Sequence, residues 1–542
     1  MNQTVIGDLP RINAGRLPGG LAVVDGERRV SWSELDERVN RLCHVLVDRL
    51  QLSVQDRVAL LAANCLESVE LSFATSRARL VYTGLNVRHH VDDMTRQMLD
   101  SGAQVLFATP AFAAQARELA RRTGAELAWI GAPDGDRSGD DVGEPPADAS
   151  VVTYEQMLAE ASAEPVPAHG DADLPYTLVY TSGTTGAPRG ALVASRDQLA
   201  GAVTLLVTTE TQVDDVFMLV LPRFHKAGEF SLAHAAYAAR PLVLAEPSPE
   251  AICRAIETER VTCFVLVPTI MRMLVSHMSA PDAPHYDLSS LRHICYGSSP
   301  IPVEHLKEFA QLFRCDLSQI GGSTEGGACL SLTRRDHQRG FTDPAAEHIL
   351  SSCGRVQPGV EMRIVDENDT DVAEGEVGEL VYRGDMLISG YHNQPEATER
   401  LWQGGWLHSG DLGYRDPDGY VYYVERLGGR IKSGGETVLA REVEEALLTH
   451  AAVAVASVVG VPDPVWGEAV CAVVQLHARP AEPEDVEQVL RDHVRSRLGS
   501  YKSPKHVVVL PSLPTTALGK IARGEVKQAA ISVLNEKEEA SL

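Results

Sequence analysis

One pattern recurs through the first half of this chain and limits what it can fold into. Short apolar runs at residues 58–61, 105–107, 128–130, 217–221, 242–244 and 264–267 are separated by longer segments whose apolar residues fall at helical spacing. Strands alternating with amphipathic helices bury both faces of largely parallel sheets, which predicts an α/β architecture. Ahead of them, residues 21–24 and 29–32 flank Asp25-Gly26 and read as a hairpin with a DG turn. A helix follows, with Ser31 and Glu34 spaced as a capping box and Leu35, Val39, Leu42 and Leu46 on one face.

The pattern does not run to the end. Residues 131–149 are rich in Gly, Asp and Pro and read as an acidic surface loop. From about residue 360 the texture turns β-rich, with strands expected at 362–365, 379–383 and 420–424. After Leu427-Gly428-Gly429 a compact α+β pattern begins: helix at 442–448, strands at 454–459 and 469–476, helix at 486–498. A chain of 542 residues exceeds one ordinary core. The expected division is a large domain of layered sheets and helices at 1–426 and a small mobile domain at 427–542.

Composition narrows the partners. The formal charge is −25, from 74 acidic and 49 basic residues, which repels nucleic-acid backbones and anionic lipid. Nine scattered cysteines without a CxxC pair imply reduced thiols and a cytoplasmic location. Residues 1–16 lack an apolar core of signal-peptide length, and no run reaches spanning length. The expected protein is a monomer or homodimer acting on small molecules.

The most informative segment is Tyr180-Thr-Ser-Gly-Thr-Thr-Gly-Ala-Pro-Arg-Gly190, directly after the apolar Leu178-Val179. Its glycines let backbone amides converge on an anion and its hydroxyls add donors, chemistry that suits phosphate. The glycine spacing is not that of a Walker loop. The string resembles the phosphate loop of the adenylate-forming superfamily: acyl-CoA synthetases, peptide-synthetase adenylation domains and luciferases. That resemblance implies that Thr181, Ser182, Gly183, Thr184, Thr185, Gly186 and Arg189 line the phosphates of ATP, with Thr184 also near Mg²⁺.

Further segments resemble the family's signatures in order. Pro222-Arg-Phe-His-Lys-Ala-Gly228 is similar to its Pro-x-Phe-His-x-x-Gly segment, which implies an acid site around Arg223, His225, Lys226 and Ala227. Tyr296-Gly-Ser-Ser-Pro300 resembles the loop whose backbone lies on adenine, through Gly297, Ser298, Ser299 and Pro300. In Gly321-Gly322-Ser323-Thr324-Glu325 the resemblance gives Thr324 a phosphate contact and Glu325 the Mg²⁺, a cation that prefers oxygen ligands. Asp411 and Arg426 match the ribose and phosphate contacts; a carboxylate can accept from both ribose hydroxyls. Lys432, Gly434 and Gly435 resemble the lining of an acceptor tunnel. Lys520, in Pro514-Thr-Thr-Ala-Leu-Gly-Lys520, matches the catalytic lysine that stabilises charge during adenylation.

Four positions depart from the family's pattern. Arg189 stands for the usual lysine, Gly321 for an aromatic residue that stacks on adenine, and Gly428 for the usual hinge Asp or Lys. Lys226 occupies a position that is commonly apolar in the acid pocket. Either it points to solvent or the substrate is small and polar, or carries a second negative group, because a buried lysine needs an anionic partner. The reading that follows is an ATP-dependent ligase of a small polar or aromatic acid, with coenzyme A as acceptor. Alternatives are a carrier-protein thiol or an amine as acceptor, nitrite as the activated anion in diazotisation, and a non-catalytic homologue.

Overall fold

The computed structural model describes residues 4–131, 153–182, 188–299, 301–433, 436–464, 466–477, 483–498, 500–515 and 521–539. Most of the acidic segment 131–149 therefore lies outside the described residues. Among those described, the strands form sheets of nine, seven, five and five.

The seven-stranded sheet runs Gly390–Tyr391, Pro188–Ala194, Pro175–Ser182, Val81–Gly84, Arg57–Leu61, Ala103–Ala108, Glu126–Trp129. Its last five strands are parallel neighbours, and the first two joints are antiparallel. The nine-stranded sheet has a parallel centre built from Phe217–Leu219, Leu242–Leu244, Cys263–Leu266, His293–Gly297 and Asp316–Ser323. The strand expected at 217–221 stops at Leu219. A five-stranded antiparallel sheet follows, with Val360–Val365, Gly378–Gly384, Trp406–Arg415 and Val421–Arg426 among its members.

The local signals hold where packing agrees with them. Leu21–Asp25 and Arg28–Ser31 form the hairpin, with Gly26 at φ +59° in its turn. Ser31 caps helix Trp32–His44, accepting from the amide of Glu34, while the Glu34 carboxylate accepts from the amide of Ser31 at 2.8 Å. Leu35, Val39, Leu42 and Leu46 are each 0% exposed, and burying each contributes roughly 2 kcal/mol.

Beyond residue 430 the chain builds a small domain. Its five-stranded sheet joins Arg430–Ser433, Glu436–Leu439, Val453–Asp463, Gly467–Leu476 and His506–Val509. Helices Ala440–Leu448, Pro483–Leu498 and Arg523–Glu539 accompany it. Two apolar clusters, one around Val443, Val470 and Val494 and one around Val461, Cys471 and Val526, draw only on residues of this domain. All nine cysteines are free thiols, seven of them buried. No helix among the described residues is long and apolar enough to cross a membrane.

Candidate active site

Parallel strands open ligand crevices at their carboxyl ends, and the family-like segments gather there. Strands Pro175–Ser182 and Pro188–Ala194 pair antiparallel, setting Thr181 opposite Arg189 and Tyr180 opposite Gly190. A side chain at Gly190 would press on the Tyr180 ring, which donates its hydroxyl to Asp100 at 2.6 Å. Gly183, Thr184, Thr185 and Gly186 lie outside the described residues, and the Ser182 side chain with them.

The next strand over, Gly390–Tyr391, pairs with Pro188–Ala194. That pairing brings Arg189 over the Tyr391 ring at 5.6 Å, a cation–π contact. The Tyr391 hydroxyl donates to Glu325 Oε1 at 2.7 Å. Burial first, then the Glu325 charge, holds that phenol far above its usual range and keeps it a donor. Arg189, Tyr391 and Glu325 thus form one chain across three segments distant in sequence.

Strands His293–Gly297 and Asp316–Ser323 run parallel, with Gly297 beside Ile320. A Cβ at Gly297 would stand 2.3 Å from the Ile320 carbonyl, and one at Gly322 only 1.8 Å from that of Gly327. Neither position admits another residue. At Gly321 a Cβ would meet Cys353 at 3.2 Å and Leu330 at 3.3 Å, so the slot of the missing aromatic is closely walled. Ser298, at φ +75°, is exposed at the strand end, with Ser299 next to it. Pro300 lies outside the described residues. Ser323 Oγ accepts from the amide of Gly326 at 3.0 Å, closing the turn that carries Thr324 and Glu325. The Glu325 carbonyl accepts from the amide of Ile388 at 3.0 Å.

Strands Trp406–Arg415 and Val421–Arg426 set Asp411 opposite Arg426. Arg426 Nε donates to Asp411 Oδ1 at 2.7 Å. Arg426 is half exposed, so this pair contributes little to stability and its value is positional. Its charge also acts on Glu325 and Tyr391, placing the ribose and phosphate motifs in one electrostatic neighbourhood.

The segment around His225 separates its two cations. His225 occupies the N-cap position of helix Lys226–Ala238, its ring 4.7 Å from that of Phe224. Gly228 is required, since a Cβ there would stand 2.4 Å from the Pro222 carbonyl. Arg223 is buried; its Nε donates to Glu229 Oε1 at 3.0 Å, its Nη2 bonds Ser72 Oγ, and it lies over the Tyr82 ring. It is a core ion pair.

Lys226 is also buried, which excludes the solvent-facing alternative. Its Nζ donates to the Met386 carbonyl at 3.4 Å. Burial lowers its pKa, and the charges of Asp197 and Glu325 work in the opposite direction. Asp197 is itself buried, accepting from the amide of Ala194 at 2.9 Å, and burial pushes its carboxyl up to about 6. Ala227 is half buried. Lys432 lies on strand Arg430–Ser433, whereas Gly434, Gly435 and Lys520 fall outside the described residues.

Sequence reasoning missed Tyr391, Met386 and Asp197. Tyr391 enters through strand pairing, Asp197 through a neighbouring helix and Met386 through a turn, and no motif marks them.

Residues 11–392 match the AMP-binding enzyme family and residues 442–520 match the AMP-binding enzyme C-terminal domain. The chain belongs to the AMP-binding enzyme family. Among relatives, it is 33% identical over 531 residues to the feruloyl-CoA synthase of Amycolatopsis sp, covering 97% of this chain and 99% of that protein. It is 37% identical over 358 residues to the medium/long-chain-fatty-acid–CoA ligase FadD8 of Mycobacterium tuberculosis, covering 64% of this chain and 61% of that one. Among solved structures, the amide bond synthetase McbA of Marinactinospora thermotolerans superposes with a TM-score of 0.80 at 29% identity, over 97% of this chain and 100% of McbA. The chain is an AMP-forming ligase that uses ATP.

Proposed function

We propose that this ligase activates a small polar or aromatic acid as its adenylate and passes the acyl group to coenzyme A. The supporting observation is the gathering of Glu325–Tyr391–Arg189 and Asp411–Arg426 from four distant segments into one charged neighbourhood. A carboxylate oxygen of the acid attacks the α-phosphorus of ATP, the α–β bridging bond breaks, and pyrophosphate leaves. The thiol sulfur of coenzyme A then attacks the acyl carbonyl, loses its proton, and AMP leaves.

Asp411 would accept from the ribose hydroxyls while Arg426 holds that carboxylate in place. The glycine-rich hairpin would carry the phosphates, with Arg189 supplying a guanidinium in place of an ammonium. Mg²⁺ fits the donor set: it binds through one or two carboxylates plus substrate phosphates, and Glu325 with Thr184 would supply the protein side. The ion would neutralise phosphate charge. Lys520 would lie against the carboxylate and α-phosphate during adenylation. Rotation of residues 427–542 about Gly428-Gly429 would then present Lys432, Gly434 and Gly435 to the acceptor.

An amine acceptor is the second reading, favoured by the full-length superposition on an amide bond synthetase. The test is pyrophosphate release from ATP with aryl acids, short dicarboxylates, fatty acids and nitrite, each with and without coenzyme A or an amine. Acid-dependent release with thioester formation supports the proposal. Release that yields only amide moves the acceptor. Release with nitrite alone sinks the acid reading.

A further inference from the structure

Tyr391 faces two ways. Its ring carries the Arg189 guanidinium at 5.6 Å, and its hydroxyl donates to Glu325 Oε1 at 2.7 Å. The residue is 8% exposed, and its place is set by backbone. Gly390 and Tyr391 pair with Leu192 and Ala191, and the amide of His392 donates to the Gly190 carbonyl at 2.8 Å. The amide of Tyr391 donates to Thr398 Oγ1 at 2.9 Å. A Cβ at Gly390 would stand 2.4 Å from the Thr398 side chain, so the approach to Tyr391 leaves no slack. Arg189 belongs to the same strand, Pro188–Ala194, that Tyr391 pairs with. A phenol fixed to that strand is fixed relative to the glycine-rich hairpin.

Glu325 is gripped by the same segment. Its backbone carbonyl accepts from the amide of Ile388 at 3.0 Å, while its carboxylate accepts from Tyr391. The last torsion of a glutamate is broad, so an unheld carboxylate has no set plane. The charges of Arg426 and Lys226 also act on Glu325, but charge alone imposes no orientation on it. Among the described residues, Tyr391 is the one side chain that hydrogen-bonds an oxygen of that carboxylate. A bond to one oxygen fixes the plane of the group and with it the direction of the other oxygen.

We propose that Tyr391 is a positioning residue with two separable roles: its hydroxyl orients the Glu325 carboxylate toward Mg²⁺, and its ring steadies the Arg189 guanidinium for the phosphates of ATP. This rests on the ligase reading above, in which Glu325 faces Mg²⁺. Groups that hold a metal-binding carboxylate in place raise metal affinity by about 10–100-fold, although they do not touch the ion.

The experiment is equilibrium binding of ATP to the full chain, with Mg²⁺ and with EDTA, for the parent, Tyr391→Phe and Tyr391→Leu. Tyr391→Phe keeps the ring, so the Kd in EDTA should stay within about twofold, while the Kd with Mg²⁺ should rise about tenfold. The advantage that Mg²⁺ gives to ATP binding then shrinks about tenfold. Tyr391→Leu also loses the ring, so its Kd should rise in EDTA as well, by about threefold to fivefold. The Mg²⁺ advantage is a ratio taken within one variant, so a general weakening of the site cancels out of it. Either variant therefore reads it if the other does not fold. An undiminished Mg²⁺ advantage overturns the inference, and leaves the ligase reading standing if the parent releases pyrophosphate with acid. ATP binding by the parent that is indifferent to Mg²⁺ overturns the role given to Glu325 and this inference with it.

Discussion

The large and small domains are held together differently, and the difference bears on how the enzyme works. Around the large-domain site, fixity comes from backbone. Gly228, Gly297 and Gly322 each sit where a Cβ would strike a carbonyl, and Arg223 is neutralised inside the core. The small domain has apolar clusters of its own and is tied across the boundary by charge. Glu425, on the last large-domain strand and 1% exposed, accepts from Arg523 Nη1 at 2.8 Å and from the amide of Arg441 at 2.8 Å. Arg523 Nη2 also donates to Glu444 at 2.7 Å. A domain secured by polar ties can part and re-dock at modest cost.

The sharpest way to break that comparison is to remove the small domain's proposed chemical contribution. Lys520→Ala should lower acid-dependent pyrophosphate exchange by about 10²–10³-fold, the range for losing one preorganised charge donor. ATP affinity, resting on the large domain, should change less than about threefold. Exchange rates and equilibrium ATP binding check this; a large loss of ATP affinity at unchanged kcat would show that the small domain binds substrate.

The second test concerns stability. Burial depresses His337 and His293 to about 4 and His234 to about 3, all three in the large domain. A histidine whose folded pKa lies below its unfolded value of about 6.5 contributes stability above that pH. The contribution is lost as pH falls from about 6.5 to about 4, because only the unfolded chain takes up the proton. His337, bonded to the Tyr296 hydroxyl at 2.8 Å and the Thr333 carbonyl at 2.9 Å, should account for about 2–3 kcal/mol of that loss. In urea titrations from pH 7 to 4, His337→Gln should flatten the slope of large-domain stability while small-domain unfolding keeps its own. An unchanged slope would remove His337 as the cause.

These contrasts explain what the sequence made legible. The DG hairpin, the Ser31–Glu34 capping box and the short apolar runs are local, so turn chemistry and periodicity suffice to read them. The phosphate-loop string was readable because its glycines and hydroxyls are contiguous. Tyr391 was not, because it reaches Arg189 and Glu325 only through pairing with Pro188–Ala194, about two hundred residues earlier. Arg223 and Lys226 looked alike as cations beside His225. Only packing separates them: Arg223 is set against Glu229 and Ser72, while the Lys226 ammonium reaches the Met386 carbonyl within range of the charges of Asp197 and Glu325. The end of strand Phe217–Leu219 also depends on tertiary pairing, since Val220 and Leu221 remain buried without continuing the ladder.

The smallest expected effect falls on the tie itself. Arg523 follows Lys520 by three residues in the sequence and bridges Glu425 and Glu444, tying the start of helix Arg523–Glu539 to the strand that ends in Arg426. Its side chain is 35% exposed, so solvent screens the bridge and the loss on Arg523→Gln is about 1 kcal/mol or less. The Glu425 carboxylate keeps the amides of Arg441 and Arg426 as donors, which further limits the damage. Exchange should fall about threefold to fivefold, with the KM for ATP unchanged, because docking is weakened and the nucleotide contacts are not. Raising salt should produce the same loss in the parent chain and little more in the variant. Arg523→Lys, which restores a charge without the two-pronged geometry, should recover part of the rate. A rise in the KM for ATP that matches the fall in rate, insensitive to salt, would mean that Glu425 acts through Arg426 on the nucleotide and that the two domains share one binding surface.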